Sequence, residues 1–145
     1  MPNADEDALR AIRAASTALQ ERWPEGESPR SWEGVTWSGD RVQELWLGNS
    51  GLEVLAPQIG QLTALTNLNL NFCKQLKELP PQIGQLTALT DLSLGGCEQL
   101  KELPPLIGQL TALSGLSLRY CEQLKELPPQ VGQLTALTKL DLEGC

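Results

Sequence analysis

LPPQIGQLTALTDLSLGGCEQLKE, residues 79–102, is preceded by LAPQIGQLTALTNLNLNFCKQLKE at 55–78 and followed by LPPLIGQLTALSGLSLRYCEQLKE at 103–126, and LPPQVGQLTALTKLDLEGC at 127–145 closes the chain. Each copy carries Leu-x-Leu among polar residues, as in Asp91-Leu92-Ser93-Leu94. That period of two belongs to a strand with one face buried. A unit of this length cannot bury its own leucines, so the copies must stack, strand beside strand in parallel, each rung covering the next. Between the strands, Pro80 and Pro81 lack N–H donors and Gly84 suits a tight bend. The return path therefore reads as extended chain and 3-10 turns. The expected architecture is an α/β solenoid with a parallel sheet on its concave side and 3-10 or extended turns on its convex side.

Upstream of these copies the same framework begins irregularly, with Val42, Leu45, Leu47, Ser50 and Leu52. Ser50 stands where the later copies have cysteine. Further upstream, Leu9, Ile12, Leu19 and Trp23 recur at helical spacing, predicting an amphipathic helix over about 5–23. Asp5, Glu6 and Asp7 suit its positive N-terminal dipole, and Pro24 with Gly26 suits its stop. The division is then a capping region at 1–41, with a helix and a cap loop at 24–41, and repeats at 42–145: one irregular, three full and one truncated. The helix is expected to cover the first rung.

Composition narrows the function. With 11 Lys+Arg against 18 Asp+Glu the formal charge is -7, which opposes binding to nucleic acid or to an anionic membrane surface. Histidine is absent, removing the commonest general base and metal ligand. The start Met1-Pro2-Asn3-Ala4-Asp5-Glu6-Asp7 has neither the basic head nor the apolar core of a signal peptide. No stretch is long and apolar enough to span a bilayer. No phosphate loop, nucleophile elbow or carboxylate pair in a pocket is present. The expectation is a non-enzymatic protein with no cofactor.

The pattern Leu-x-x-Leu-x-Leu-x-x-Cys-x-x-Leu-x-x-Leu-Pro-x-x-Ile-Gly-x-Leu resembles the leucine-rich repeats of plant disease-resistance proteins and of intracellular Ras-group scaffolds. Pro29-Arg30-Ser31-Trp32-Glu33-Gly34-Val35-Thr36-Trp37 is similar to the plant-type N-terminal cap of receptor-like leucine-rich-repeat proteins, which reads Pro-Cys-x-Trp-x-Gly-Val-x-Cys. Both cysteines of that cap are replaced here, by Arg30 and Trp37. Their joint loss points to a reducing, cytoplasmic location, and a cation-π stack of Arg30 on Trp37 is expected in their place. The resemblance implies an interaction module in signalling or defence that recognises a protein or peptide. The alternative it implies is the sensor segment of a larger receptor-like kinase or Roco-type GTPase.

Four cysteines, Cys73, Cys97, Cys121 and Cys145, recur every 24 residues. Spaced by one rung, roughly 4.8 Å, they form a line and cannot surround one tetrahedral ion. They read as small buried hydrophobes whose S–H groups donate weakly to the turn backbone. The runs Lys74 to Glu78, Glu98 to Glu102 and Glu122 to Glu126 stack like charges with opposite signs one residue away, and read as a solvated face.

The copies differ mainly in four columns. These are Asn67, Asp91, Gly115 and Lys139; Asn69, Ser93, Ser117 and Asp141; Asn71, Gly95, Arg119 and Glu143; and Phe72, Gly96, Tyr120 and Gly144. Alternation puts the first two on the concave face and the others on the adjoining rim. The irregular repeat adds Glu44, Trp46, Gly48 and Asn49. Neutral drift would scatter changes over the convex side too, yet Gln-Leu-Thr-Ala-Leu hardly varies, which favours diversification toward a partner. Trp46, Phe72, Arg119 and Tyr120 are the expected anchors. Asn67, Asn69, Asn71, Asp91 and Asp141 are the expected hydrogen bonders, with Glu44, Ser93, Ser117 and Lys139 on the same surface. Packing over a neighbouring turn is the competing role for Phe72 and Tyr120, and contact with the leader for Trp46. The last rung has no polar cap, so Val131, Leu134, Leu137, Leu140 and Leu142 should lack cover on one side. An incomplete version of a longer protein, or self-association through that edge, is expected.

Overall fold

A computed structural model describes residues 3–145. Two helices, α1 (Ala4–Ala14) and α2 (Thr17–Arg22), lead into a 3-10 turn at Pro29–Ser31. Six strands follow: β1 (Val35–Ser38), β2 (Arg41–Trp46), β3 (Asn67–Asn69), β4 (Asp91–Ser93), β5 (Gly115–Ser117) and β6 (Lys139–Asp141). They form one sheet in sequence order, with β2 to β6 parallel and β1 antiparallel to β2. Each pair of successive parallel strands is joined by a 3-10 turn, at Pro57–Gln61, Pro81–Gln85, Pro105–Gln109 and Pro129–Gln133. A proline at the first or second position of each turn fixes φ and needs no hydrogen bond there.

The expected helix over 5–23 is divided. Ser16 adopts an extended conformation, and its Oγ accepts the N–H of Leu19 at 3.4 Å. A serine with that geometry is an N-cap, so α2 starts afresh and turns Leu19 and Trp23 inward. Asn3 caps α1 in the same way, accepting from the N–H groups of Asp5 and Glu6. The stretch expected as a cap loop also contains more structure: β1 supplies the sheet edge before β2.

One core runs the length of the molecule. Leu9, Ile12, Leu19, Trp23 and Trp32 of the leader join Leu45, Leu68, Leu92 and Leu116 of the strands and Ile59, Ile83 and Ile107 of the turns. Trp23 and Trp32 stack with ring centroids 4.8 Å apart. Burying this row of branched and aromatic side chains is the dominant driving force for stacking. In the last rung Leu134 is still buried, but Leu140 and Leu142 are 40% and 41% exposed. Val131 and Leu137 are only partly buried, whereas Ile107 and Leu113 of the preceding rung are fully so, and cover is thus reduced on the 3-10 side as well as on the edge strand.

The expected stack of Arg30 on Trp37 is present. Arg30 lies over the Trp37 ring with its Cζ 4.4 Å from the centroid. Its nitrogens also reach Glu6 at 3.1 Å, the Gly39 carbonyl at 3.0 Å and Asp40 at 2.8 Å. The guanidinium therefore ties α1 to the β1–β2 hairpin. Asp5, buried at the other side of this junction, accepts the Val42 N–H at 2.8 Å and pairs with Arg41 at 3.1 Å.

The cysteines form a line of thiols, each donating to the leucine carbonyl of the neighbouring rung: Cys73 to Leu47, Cys97 to Leu70, Cys121 to Leu94 and Cys145 to Leu118. The acceptors lie at the end of the adjoining strand segment, not in the cysteine's own turn. All four are unpaired thiols, three buried and Cys145 exposed.

Candidate functional site

The variable columns share one surface because the sheet register puts them there. Glu44 pairs with Asn67, Asn67 with Asp91, Asp91 with Gly115 and Gly115 with Lys139. Trp46, Asn69, Ser93, Ser117 and Asp141 form the second row by the same register. The leucine between each pair points inward, so both rows face away from the core. A broad trough of about 600 Å3 follows β4 to β6 across these rows. Gly115 is among its lining residues. A Cβ there would lie 2.7 Å from Asp91 Oδ1, so the glycine makes room for that carboxylate.

Ladder hydrogen bonds continue past the strands into the rim. Asn49, Phe72, Gly96 and Tyr120 donate their N–H groups to Asn71, Gly95, Arg119 and Glu143 of the next rung, at 2.6–2.8 Å. This last column is left-handed throughout: φ is +55° at Asn49, +60° at Phe72, +73° at Gly96, +58° at Tyr120 and +77° at Gly144. Glycine takes this conformation freely, whereas a side chain there costs of order 1–2 kcal/mol. Phe72 and Tyr120 accept that cost while remaining 54% and 46% exposed.

The two aromatics alternate with glycine for a steric reason. A Cβ on Gly96 would lie 2.5 Å from Phe72 Cδ1, and one on Gly144 would run into the Tyr120 ring. Each ring therefore leans over the next rung's glycine. Between the two aromatics, above Gly95 and Gly96, is a recess of about 190 Å3. Arg119 stands at its wall, held by Glu143 at 2.6 Å and Asp141 at 3.4 Å, with its Cζ 5.7 Å from the Tyr120 centroid. The Tyr120 contact and the two carboxylates raise the Arg119 pKa above its ordinary value, so the group is a fixed cation.

Several expected hydrogen bonders already have work inside the fold. Asn69 Oδ1 accepts the Asn71 N–H, Asn71 Oδ1 accepts the Gly95 N–H, and Asp141 Oδ1 accepts the Glu143 N–H. Asn67 Nδ2 donates to Glu44, and Asp91 accepts from Thr90. Trp46 keeps a free indole face at 51% exposure while its backbone meets the leader, donating to Gly34 O and accepting from Arg22.

The convex invariance also has a packing cause. The Gln85, Gln109 and Gln133 side chains lie against Gly60, Gly84 and Gly108 of the preceding rung. Thr66, Thr90, Ser114 and Thr138 repeat one hydroxyl bond from rung to rung, donating to the carbonyls of Gln43, Thr66, Thr90 and Ser114 at 3.1–3.2 Å. Constancy of the glutamines is therefore accounted for without a ligand. The case for the variable face rests on its exposed aromatics and its recesses.

Chemistry is sparse here. Among the described residues no group of three or more acidic, cysteine or histidine side chains could hold a metal, and no helix is long and apolar enough to cross a membrane.

No protein-family model and no curated relative matches the sequence. Solved structures do. The leucine-rich-repeat domain of the type III effector XopL is 36% identical over 69% of this chain and 35% of that one, with a TM-score of 0.62. A plant ice-binding protein is 26% identical over 99% of this chain and 48% of the other, with a TM-score of 0.74. The leucine-rich-repeat ectodomain of the Arabidopsis thaliana receptor kinase GASSHO1/SCHENGEN3, solved in complex with CASPARIAN STRIP INTEGRITY FACTOR 2, is 25% identical over 96% of this chain and 21% of that one, with a TM-score of 0.55. The chain thus spans between about a fifth and a half of the length of these three.

Proposed function

We infer that this leucine-rich-repeat solenoid is a non-catalytic interaction module that recognises a protein or peptide across the face built by the two variable strand rows and the aromatic rim. The observation that carries the reading is the pair Phe72 and Tyr120, exposed aromatics kept at left-handed positions where glycine would cost the backbone nothing. Trp46 extends the same surface toward the leader. The complex formed by the GASSHO1/SCHENGEN3 ectodomain supports a polypeptide ligand for this kind of scaffold.

We further propose a role in signalling or defence, within a reducing, cytoplasmic compartment, with neither nucleic acid nor membrane as partner. Support for the compartment comes from unpaired cysteines and from the Arg30–Trp37 stack in place of a covalent link. Support for the partner class comes from the acidic balance of the chain. Self-association through the last rung is part of the proposal, supported by the exposure of Leu140 and Leu142. Sedimentation at several concentrations tests it. A second reading makes the solenoid the sensor of a larger receptor-like kinase or Roco-type GTPase, supported for the kinase by the likeness to the ectodomain of the receptor kinase GASSHO1/SCHENGEN3. A longer transcript encoding kinase motifs or a phosphate loop would favour it.

The deciding experiment compares proteins retained from a lysate by the wild-type chain and by a Trp46→Ser, Asp91→Ala, Lys139→Ala variant. Partners retained by the first and lost by the second are expected. Identical retention by both would remove the face from the interaction.

A further inference from the structure

The recess above Gly95 and Gly96 specifies more than a general contact surface. Its volume, about 190 Å3, suits one side chain. Phe72 and Tyr120 form opposite aromatic ends, the Phe72 ring leaning over Gly96, and Gly95, which has no side chain, leaves bare backbone between them. Arg119 closes one wall with its guanidinium pinned by Asp141 and Glu143, in a position to stack on a flat ring. Such a site discriminates by shape and π-character.

Charge around the rim identifies what flanks the inserted group. Glu98, Glu122, Asp141 and Glu143 stand against Lys74, Arg119 and Lys125, an excess of one negative charge (four minus three). All three cations are already engaged, Lys74 with Glu98 at 3.6 Å, Arg119 with its two carboxylates and Lys125 with the Glu122 carbonyl at 3.4 Å, which leaves the Glu122 carboxylate without an ion pair among the described residues. The surface is therefore complementary to a basic segment.

We propose that the Phe72–Tyr120 recess receives a single aromatic side chain from a partner segment in which that residue is flanked by lysine or arginine. The proposal rests on the interaction-module reading and adds the chemistry of its ligand. The aromatic group lies over the Gly95 backbone between the two rings, and the flanking cations meet Glu122 and the acidic end of the rim.

The test uses the complete chain, 15N-labelled, titrated with the blocked tripeptides Lys-Trp-Lys, Lys-Ala-Lys and Glu-Trp-Glu. Lys-Trp-Lys is expected to give saturable shifts centred on the Gly95, Gly96 and Tyr120 amides, with the other two peptides weaker by roughly tenfold or more. Phe72→Gly with Tyr120→Gly removes both walls while giving the backbone the residue that neighbouring rungs already use at this position, and is expected to abolish the shifts. Gly95→Leu, at a position without positive φ, fills the recess and is expected to do the same. Equal binding of Lys-Trp-Lys and Lys-Ala-Lys, shifts centred elsewhere, or unchanged binding by both variants would overturn the proposal. If retention of lysate partners still depends on Trp46, Asp91 and Lys139 in that event, the module reading stands and only the recess falls. If that dependence is also absent, both fall.

Discussion

The ring of Phe72 occupies the space a side chain on Gly96 would need: a Cβ there would lie 2.5 Å from Cδ1 and 2.9 Å from Cε1 of the ring. Gly96→Ala therefore combines a steric clash with a left-handed backbone, and a loss of about 1–3 kcal/mol is expected in urea unfolding. Phe72→Gly relieves the clash but not the backbone preference of the new alanine. The double variant should recover at least about 0.5 kcal/mol relative to additivity. Strict additivity would mean that the ring swings aside freely.

The thiol line predicts alkaline sensitivity. Burial is the largest cause raising the pKa of Cys73 from 9.0 to about 11, of Cys97 to about 12 and of Cys121 to about 11. A raised folded-state value means that the stabilisation is fully present below pH 9 and is lost as pH rises through about 11 to 12. Melting temperatures measured from pH 8 to 11 should fall above about 9, and less steeply in Cys97→Ala. With a thiol reagent at pH 8, Cys145 should react first and the three buried cysteines only on unfolding.

Asp5 joins the first helix to the sheet through the Val42 N–H and Arg41. Asp5→Ala leaves that buried N–H without an acceptor, at a cost of about 1–3 kcal/mol in denaturant unfolding. Asp5→Asn retains an acceptor oxygen but not the ion pair, and should lose less. Equal losses would place the contribution of Asp5 in charge alone.

Arg30 supports the same junction from the exposed side. Arg30→Ala removes the stack on Trp37 and the ion pairs with Glu6 and Asp40, for an expected loss of about 1 kcal/mol. Arg30→Lys should recover only part, since an ammonium cannot lie flat on the ring while donating to three acceptors. Thermal unfolding of the three proteins gives the order wild type, lysine, alanine.

The strand rows and 3-10 returns were legible because a leucine period of two and paired prolines act locally, and stacking copies that nearly repeat leaves few registers to choose from. The break at Ser16 was not, since Leu9, Ile12, Leu19 and Trp23 keep helical spacing across it; the signal was the serine three residues before Leu19. Membership of the variable face followed from alternation alone. The recess did not, because glycine at 95 and 96 looks like absence in a column of side chains until the φ values and the Phe72 ring show what the absence accommodates. Likewise, the hydroxyl bonds of Thr66 and Thr90 could not be read, because a side-chain bond to an adjoining rung has no sequence period distinct from the repeat itself.

That hydroxyl row gives each rung a second strap alongside the backbone ladder, running from Gln43 to Thr138 without a gap. Nearest-neighbour coupling is thereby strengthened relative to the stability of any one rung by itself. In a quasi-one-dimensional assembly this is the condition for melting as a single cooperative block instead of rung by rung.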